Sequence, residues 1–523
     1  MAAHSLVLSR TTSSASRAST RSTLSLTRTL SEQIDNVFER SIVNAPLAEE
    51  LDESNREQGH SAGNTEQALP SIANRLPQLP AGAPALHPKH GFFSKALEKK
   101  RALAIKSLSF SVLLMGFLVM GLLSIYWGTF YHRNLHLRNV HLWIINLDDS
   151  SDATIGPSFT EIARSFAAGY GTVNVEVRDP DNYGHDYETV ANQVIHEHTW
   201  GAFFIRSNAS SSLHAALTSP DSAGHLYNGR EAVTFMYAEA RDQTAYGSIT
   251  SWVSDLSAEF TAGFTEATLQ NAAVNYSISS ILNSAPSVLA LPATIGFDNL
   301  RPFDNPVAAA ATQVGLIYLI IVSFFQFNFF QPVHMLFAQD LKRHHFVVYR
   351  ILVSWTAQFF LSLFYSLISL AFQLDFTKKY SHGGFVVYWM INWLGMIAVG
   401  GALENMALIA LATYPPILGF ILVFMVIINV STAFYSIPLL AHFYRFGYAF
   451  PIKNLADASK TIIFNTHNTM GRNIGVVVAW IALNVVLSPL CVWFFSMQMQ
   501  RKGQRTVAAE KSKAEVAVQA EKN

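Results

Sequence analysis

The sequence predicts an α-helical polytopic membrane protein with six transmembrane helices, one plus five, and an extracellular α/β domain between the first and second. Three observations carry this. Six apolar runs reach membrane length. The chain is 50% hydrophobic and 14% charged, with mean hydropathy +0.23, whereas soluble domains carry roughly 25% charged residues. Residues 128–306, between the first two runs, alternate strand-like and helix-like patterns.

A bilayer core about 30 Å thick needs roughly 20 apolar residues in a helix. Segments 105–127, 307–330, 351–372, 385–412, 417–440 and 474–497 meet that requirement. The fourth is long enough to tilt, or to break near Gly400-Gly401. The first begins too late and runs too long for a cleaved signal peptide, so it reads as a signal anchor. Lys95, Lys99, Lys100, Arg101 and Lys106 precede or open it, which places residues 1–104 in the cytosol. Alternation then puts 128–306 outside and the loop 331–350, with Lys342, Arg343 and Arg350, inside. The loop 373–384 falls outside, against the sign of Lys378 and Lys379. Segment 441–473 falls outside and the tail 498–523 inside.

The charge of the large domain agrees. Residues 128–306 hold 8 Arg, no Lys and 19 Asp or Glu, without the positive excess of cytosolic segments. Two glycosylation sequons begin at Asn208 and Asn275; a third, at Asn429, lies in a span. Within the domain, 140–146, 173–177, 202–205 and 233–237 read as strands, and 158–170 and 187–198 as helices. Long helical segments follow over 243–282. Ser158 and Glu161 have capping-box spacing. The single cysteine, Cys491, excludes an intrachain disulfide.

The N-terminal tail is rich in Ser, Thr, Pro and Ala and is expected to be disordered. Arg10, Arg17 and Arg28 precede Ser13, Thr20 and Ser31 by three residues. That spacing suits a basophilic kinase, and phosphate would reverse the local charge. A mitochondrial transit peptide is the competing reading of the same arginines.

No phosphate loop, G-x-S-x-G elbow or H-E-x-x-H motif is present, and no basic run interleaved with aromatics suits nucleic acid. No catalytic constellation or cofactor site emerges. His196-Glu197-His198 does not converge on one face of a helix, so it is a poor metal site. Glu404, followed by Asn405, is the strongest single candidate, because an intramembrane carboxylate usually faces a cavity or a partner. It reads either as a polar site in a substrate path or as a structural group paired with a residue such as Gln358. Gln313, Gln326, Asn392, Asn429 and Asn484 read as interhelical hydrogen bonders. Segment 442–472, aromatic then polar and interrupted by Pro451, reads as re-entrant or as an ordinary outer loop. Residues 331–345 suit a short amphipathic helix or a plain loop.

The run WIINLDD at 143–149 resembles the start of the external domain in fungal nitrosoguanidine-resistance proteins. So do QFNFFQPVH at 326–334, GFVVYW at 384–389, GALEN at 401–405 and YRFGYAFPIKN at 444–454. The resemblance covers about residues 100–500 and extends to permeases of type-2 ABC exporters. It implies a fungal membrane protein tied to resistance to toxic compounds and to lipid organisation; the expected function is efflux of, or resistance to, toxic small molecules, and the expected location is the plasma membrane. The implied partners are the bilayer, a toxic molecule or lipid as substrate, an ATPase or other membrane protein, and a second copy of the chain. A non-transporting regulator that affects lipid distribution or other transporters is the alternative.

Overall fold

The computed structural model describes residues 92–522 apart from Gln339. Ser13, Thr20 and Ser31 lie outside the described residues.

Helix α1 (Glu98–Trp127) leads into a sheet domain. Strands β1 (His141–Asn146), β2 (Asn174–Arg178), β3 (Gly201–Ile205), β4 (Val233–Tyr237) and β5 (Ile295–Asn299) form one sheet in the order β2-β1-β3-β4-β5. β1 runs parallel to β2 and β3, with Ile144 opposite Val177 and Phe203. β4 is antiparallel to β3, and β5 is parallel to β4. Strand side chains alternate between faces, and both faces here are apolar. Leu142, Ile144, Phe203 and Phe235 face α2 (Ile155–Ala167), α4 (Ala209–Thr218) and α5 (Gln243–Asn275). Trp143, Ile145, Phe204 and Met236 face α3 (Tyr187–Ile195). The result is a helix–sheet–helix sandwich.

The expected capping box at Ser158 is not used, because α2 begins three residues earlier, at Ile155. Its first amides are met from a distance instead. Ser210 Oγ accepts from the Thr154 and Ile155 amides, and Asp148 accepts from the Gly156 amide. Asp148 also accepts from the amide and hydroxyl of Ser210. This fully buried carboxylate fastens the end of β1 to the starts of α2 and α4.

Among the described residues, six helices are long and apolar enough to cross a membrane: Lys95–Trp127, Ala310–Phe337, Arg343–Ala371, Thr377–Thr413, Pro415–Ala433 and Met470–Ala509. Their regular α-helical parts after α1 are α6 (Gly315–Phe337), α7 (Arg343–Ala371), α8 (Gly384–Thr413) and α9 (Leu418–Ala433), with α11 (Met470–Lys522) last. A shorter helix, α10 (Pro451–Phe464), precedes α11. The central helix is α8, which packs on α6, α7, α9, α10 and α11. It is continuous through Gly400-Gly401, so the expected break is absent. Those glycines serve close approach. A Cβ at Gly395 would lie 2.4 Å from Leu455 of α10, and one at Gly400 would lie 2.3 Å from Gln358 of α7.

The loop drawn over 331–350 is much shorter in the fold. α6 continues to Phe337 and α7 starts at Arg343, so Arg350 lies inside the bundle and 331–345 forms no separate helix. The span expected over 417–440 ends as α9 at Ala433, and α11 extends through the polar tail. The 442–472 segment holds a 3₁₀ helix (His442–Ala449) and α10, whose residues are mostly buried against the bundle. Several bonds tie this segment and the turn before it to the sheet domain. Asp242 accepts from the Ser436 amide, Lys460 donates to the Arg241 carbonyl, and Arg301 donates to the Asn465 carbonyl. Lys378 pairs with Asp304 at 2.7 Å, which gives the 373–384 loop's basic charge a local counterpart. These segments therefore share one end of the bundle with the sheet.

Candidate intramembrane polar site

Helix α7 is polar on its inner side and apolar on its outer side. Arg350, Ser354, Gln358, Ser362 and Ser366 recur every four residues and are all buried, while Leu352, Phe360, Phe364 and Leu367 are exposed. Four residues is close to one helical turn, so the polar groups form a stripe directed at α8. Facing them on α8 is Glu404.

The stripe closes on Glu404 through a buried ion pair. Arg350 Nη2 lies 2.6 Å and Nε 2.9 Å from Glu404 Oε1. The guanidinium also donates to Gln331 Oε1 at 3.3 Å and lies over the Phe346 ring. Arg350 is 1% exposed, and the Glu404 side chain 14%. Buried charged groups are tolerated when they are paired and hydrogen-bonded, and here both conditions hold. By helical rise the pair sits ~10–14 Å inside the ends of α7 and α8 remote from the sheet domain.

A hydrogen-bonded chain continues from the pair. Ser354 Oγ donates to Glu404 Oε2 at 3.1 Å, and Gln326 Nε2 donates to Ser354 Oγ at 3.4 Å. Gln358 Nε2 donates in turn to Gln326 Oε1 at 3.3 Å. Gln358 Oε1 is buried and has no partner among the described residues. On the other side, Asn405 donates to the Asn484 carbonyl at 3.1 Å, and Asn484 donates to the Ala398 carbonyl at 2.8 Å. A cavity of about 30 Å³ lies between α7, α8 and α11, walled by Ser354, Gln358, Glu404, Asn405, Asn484 and Ser488. That volume is about one water's share of the liquid.

A model of the family described as protein of unknown function (DUF3533) matches residues 111–486. The chain belongs to that family. The DUF3533 match begins in α1 and ends in α11, so it takes in the sheet domain and the polar site apart from Ser488. The "Uncharacterized endoplasmic reticulum membrane protein YJR015W" of Saccharomyces cerevisiae is 34% identical over 331 residues. The alignment covers 62% of this chain and 64% of that relative, less than two thirds of its length. No solved structure matches the chain.

Of the candidates read from sequence, Glu404, Asn405 and Gln358 converge on this DUF3533 site. Gln358 is not the direct partner of Glu404; it is joined to it through Gln326 and Ser354. Arg350 holds that place, and sequence reasoning missed it by ending the loop at 350. The spacing of Arg350, Ser354 and Gln358 was the available signal. Asn392 donates to Ser366, and Asn429 donates to the Met425 carbonyl and accepts from the Ile452 amide, so both bond within the bundle as expected. Asn208 and Asn275 are exposed on the sheet domain, far from this cluster in the fold. His196 and His198 bond to Asn192 and Gln193, and no group suited to a metal occurs among the described residues.

Proposed function

We propose that this DUF3533 membrane protein is transporter-like and promotes efflux of, or resistance to, small toxic molecules or lipids, without catalysing a reaction. The observation that carries this is the Arg350–Glu404 pair, buried inside the bundle beside a small cavity with both polar and apolar walls. Intramembrane charges are costly, and they recur along substrate and ion paths. The cavity admits about one water, so the described conformation is closed. Opening a route there requires α7 and α8 to part, and that motion breaks the pair. The pair would thus latch the closed state, and a cationic solute or a proton on Glu404 would release it. The resemblance to exporter permeases favours the same reading. An ATPase partner would supply the energy, since the sequence has no phosphate loop of its own.

The proposed orientation has both termini in the cytosol and the sheet domain on the opposite side. The plasma membrane and the endoplasmic reticulum are both compatible with it; the yeast relative's name points to the latter. Imaging of tagged protein decides between them. For transport, the test is release of a labelled toxic compound from vesicles holding the purified full chain, with and without a candidate ATPase. Glu404→Gln should slow release and lower cellular resistance. Unchanged release and resistance would remove Glu404 from the path.

A second reading, a non-transporting regulator, draws on the small size of the same cavity. Loss of phenotype on deletion of residues 1–90, with membrane placement intact and no release in vesicles, would favour it.

A further inference from the structure

A second cavity, of about 160 Å³, lies where the sheet domain meets the bundle. Arg241, Lys453, Lys460 and Arg472 line it, against two acids, Glu197 and Asp457. Asp457 is engaged by Lys453. Glu197 lies 3.6 Å from Arg241, whose guanidinium also stacks on Trp200. That leaves two cations. Arg472 and Lys460 have no carboxylate within ion-pair distance among the described residues.

Lys460 is the informative one. It is 8% exposed, and its ammonium has three donors but one hydrogen bond, to the Arg241 carbonyl at 2.9 Å. Burial first, and Lys453 second, push its pKa below the ordinary lysine range. Asp242, Asp457 and Glu197 act on it from beyond ion-pair distance and offset that push only in part, so the ammonium has no direct carboxylate partner among the described residues. His467, on the same wall, has a buried Nδ1 with no partner among the described residues. The cavity is wide enough for about five waters. It opens beside Tyr448, which is exposed, in an aromatic segment of the kind that sits at a bilayer surface.

We infer that this cavity binds a phosphate-bearing anion between the sheet domain and the bundle. Phosphate presents several oxygens in different directions, which suits a guanidinium fork together with ammonium point charges. The same chemistry is offered by a phospholipid headgroup and by a free phosphate ester. The anion would neutralise Lys460 and Arg472 and bridge Arg241 of one layer to α10 of the other. The inference does not depend on transport.

The test uses the full chain in detergent, with melting temperature as the readout. The probes are inorganic phosphate, short-chain phosphatidic acid and, as a control lacking net negative charge, short-chain phosphatidylcholine. Phosphatidic acid is expected to raise the melting temperature. Inorganic phosphate acting equally well would make the source a free phosphate; phosphatidic acid acting alone would make it a lipid. Lys460→Met should weaken binding by about tenfold or more, the range of one lost charge-assisted hydrogen bond. Lys460→Met also removes the bond to the Arg241 carbonyl, so binding is read as the probe-induced shift of each protein against its own ligand-free melting temperature. The surface change Arg472→Gln should also weaken binding and leaves the core untouched. The inference is overturned if neither phosphate probe shifts melting, if phosphatidylcholine acts equally, or if both variants bind like the parent.

Discussion

Replacing Glu404 with Leu strands a guanidinium that is 1% exposed and cannot shed its proton. The bonds lost are the 2.9 Å and 2.6 Å contacts from Arg350 and the 3.1 Å contact from Ser354. Removing one partner of a buried pair costs about 3–5 kcal/mol. Replacing Arg350 with Met should be milder, about 1–3 kcal/mol, because a stranded carboxylate can take up a proton. The double variant, Arg350→Met with Glu404→Leu, leaves neither charge behind and should return to within about 2 kcal/mol of the parent. The coupling energy of the cycle should then exceed about 2 kcal/mol. Ordinary polar contacts between membrane helices average only about 0.6 kcal/mol. The assay is reversible unfolding of the full chain in mixed micelles titrated with sodium dodecyl sulfate. Additive single changes, with coupling at or below the ordinary value, would refute the ion-pair argument. So would an Arg350 variant that costs more than the Glu404 one.

Asp148→Ala removes the acceptor for the Gly156 amide and for the amide and hydroxyl of Ser210; a loss of at least about 2 kcal/mol is expected, read as a lower melting temperature of the sheet domain. His141, then Arg178, hold the Glu176 carboxyl below its ordinary value of 4.5. A depressed folded pKa contributes stability that is present above the unfolded value and lost as pH falls through the folded one. Amide exchange along Asn174–Arg178 should therefore rise, relative to the rest of the sheet, below about pH 4.5, and His141→Ala should shrink that dependence while Arg178 keeps part of it. If the sheet domain lies across the membrane from the termini, Asn208→Gln and Asn275→Gln should each abolish one glycosidase-sensitive mobility step. A parent chain insensitive to glycosidase would count against the orientation.

The apolar runs and four of the five strands were legible because burial leaves its period in the local sequence. β5 was not. Gly296, Asp298 and Asn299 are poor strand formers, and the segment is a strand only because Val233–Tyr237 lies beside it. The start of α2 was misread for a similar reason: its cap is completed by Ser210, about 55 residues away. At the polar site, Glu404 stood out because a carboxylate in an apolar run is conspicuous. Arg350 did not, because an arginine at the edge of an apolar run reads as flanking charge. Only the four-residue stripe on α7 distinguishes the two. The charged cavity was invisible, since its cations come from segments that meet only on folding.

Ser210 has a second identity, as the last residue of the Asn208-Ala209-Ser210 sequon. In the folded domain it is buried and its hydroxyl is committed to Asp148 and the start of α2. Ser277, in the sequon at Asn275, is exposed at the end of α5. If the sheet domain lies across the membrane from the termini, a glycan-transferring enzyme could reach the second sequon even after folding, but the first only until β3 and α4 settle. Under that orientation, sugar occupancy at Asn208 would be a clock for folding of the sheet domain. Any change that delays the Asp148 cap should raise occupancy there and leave Asn275 as it was.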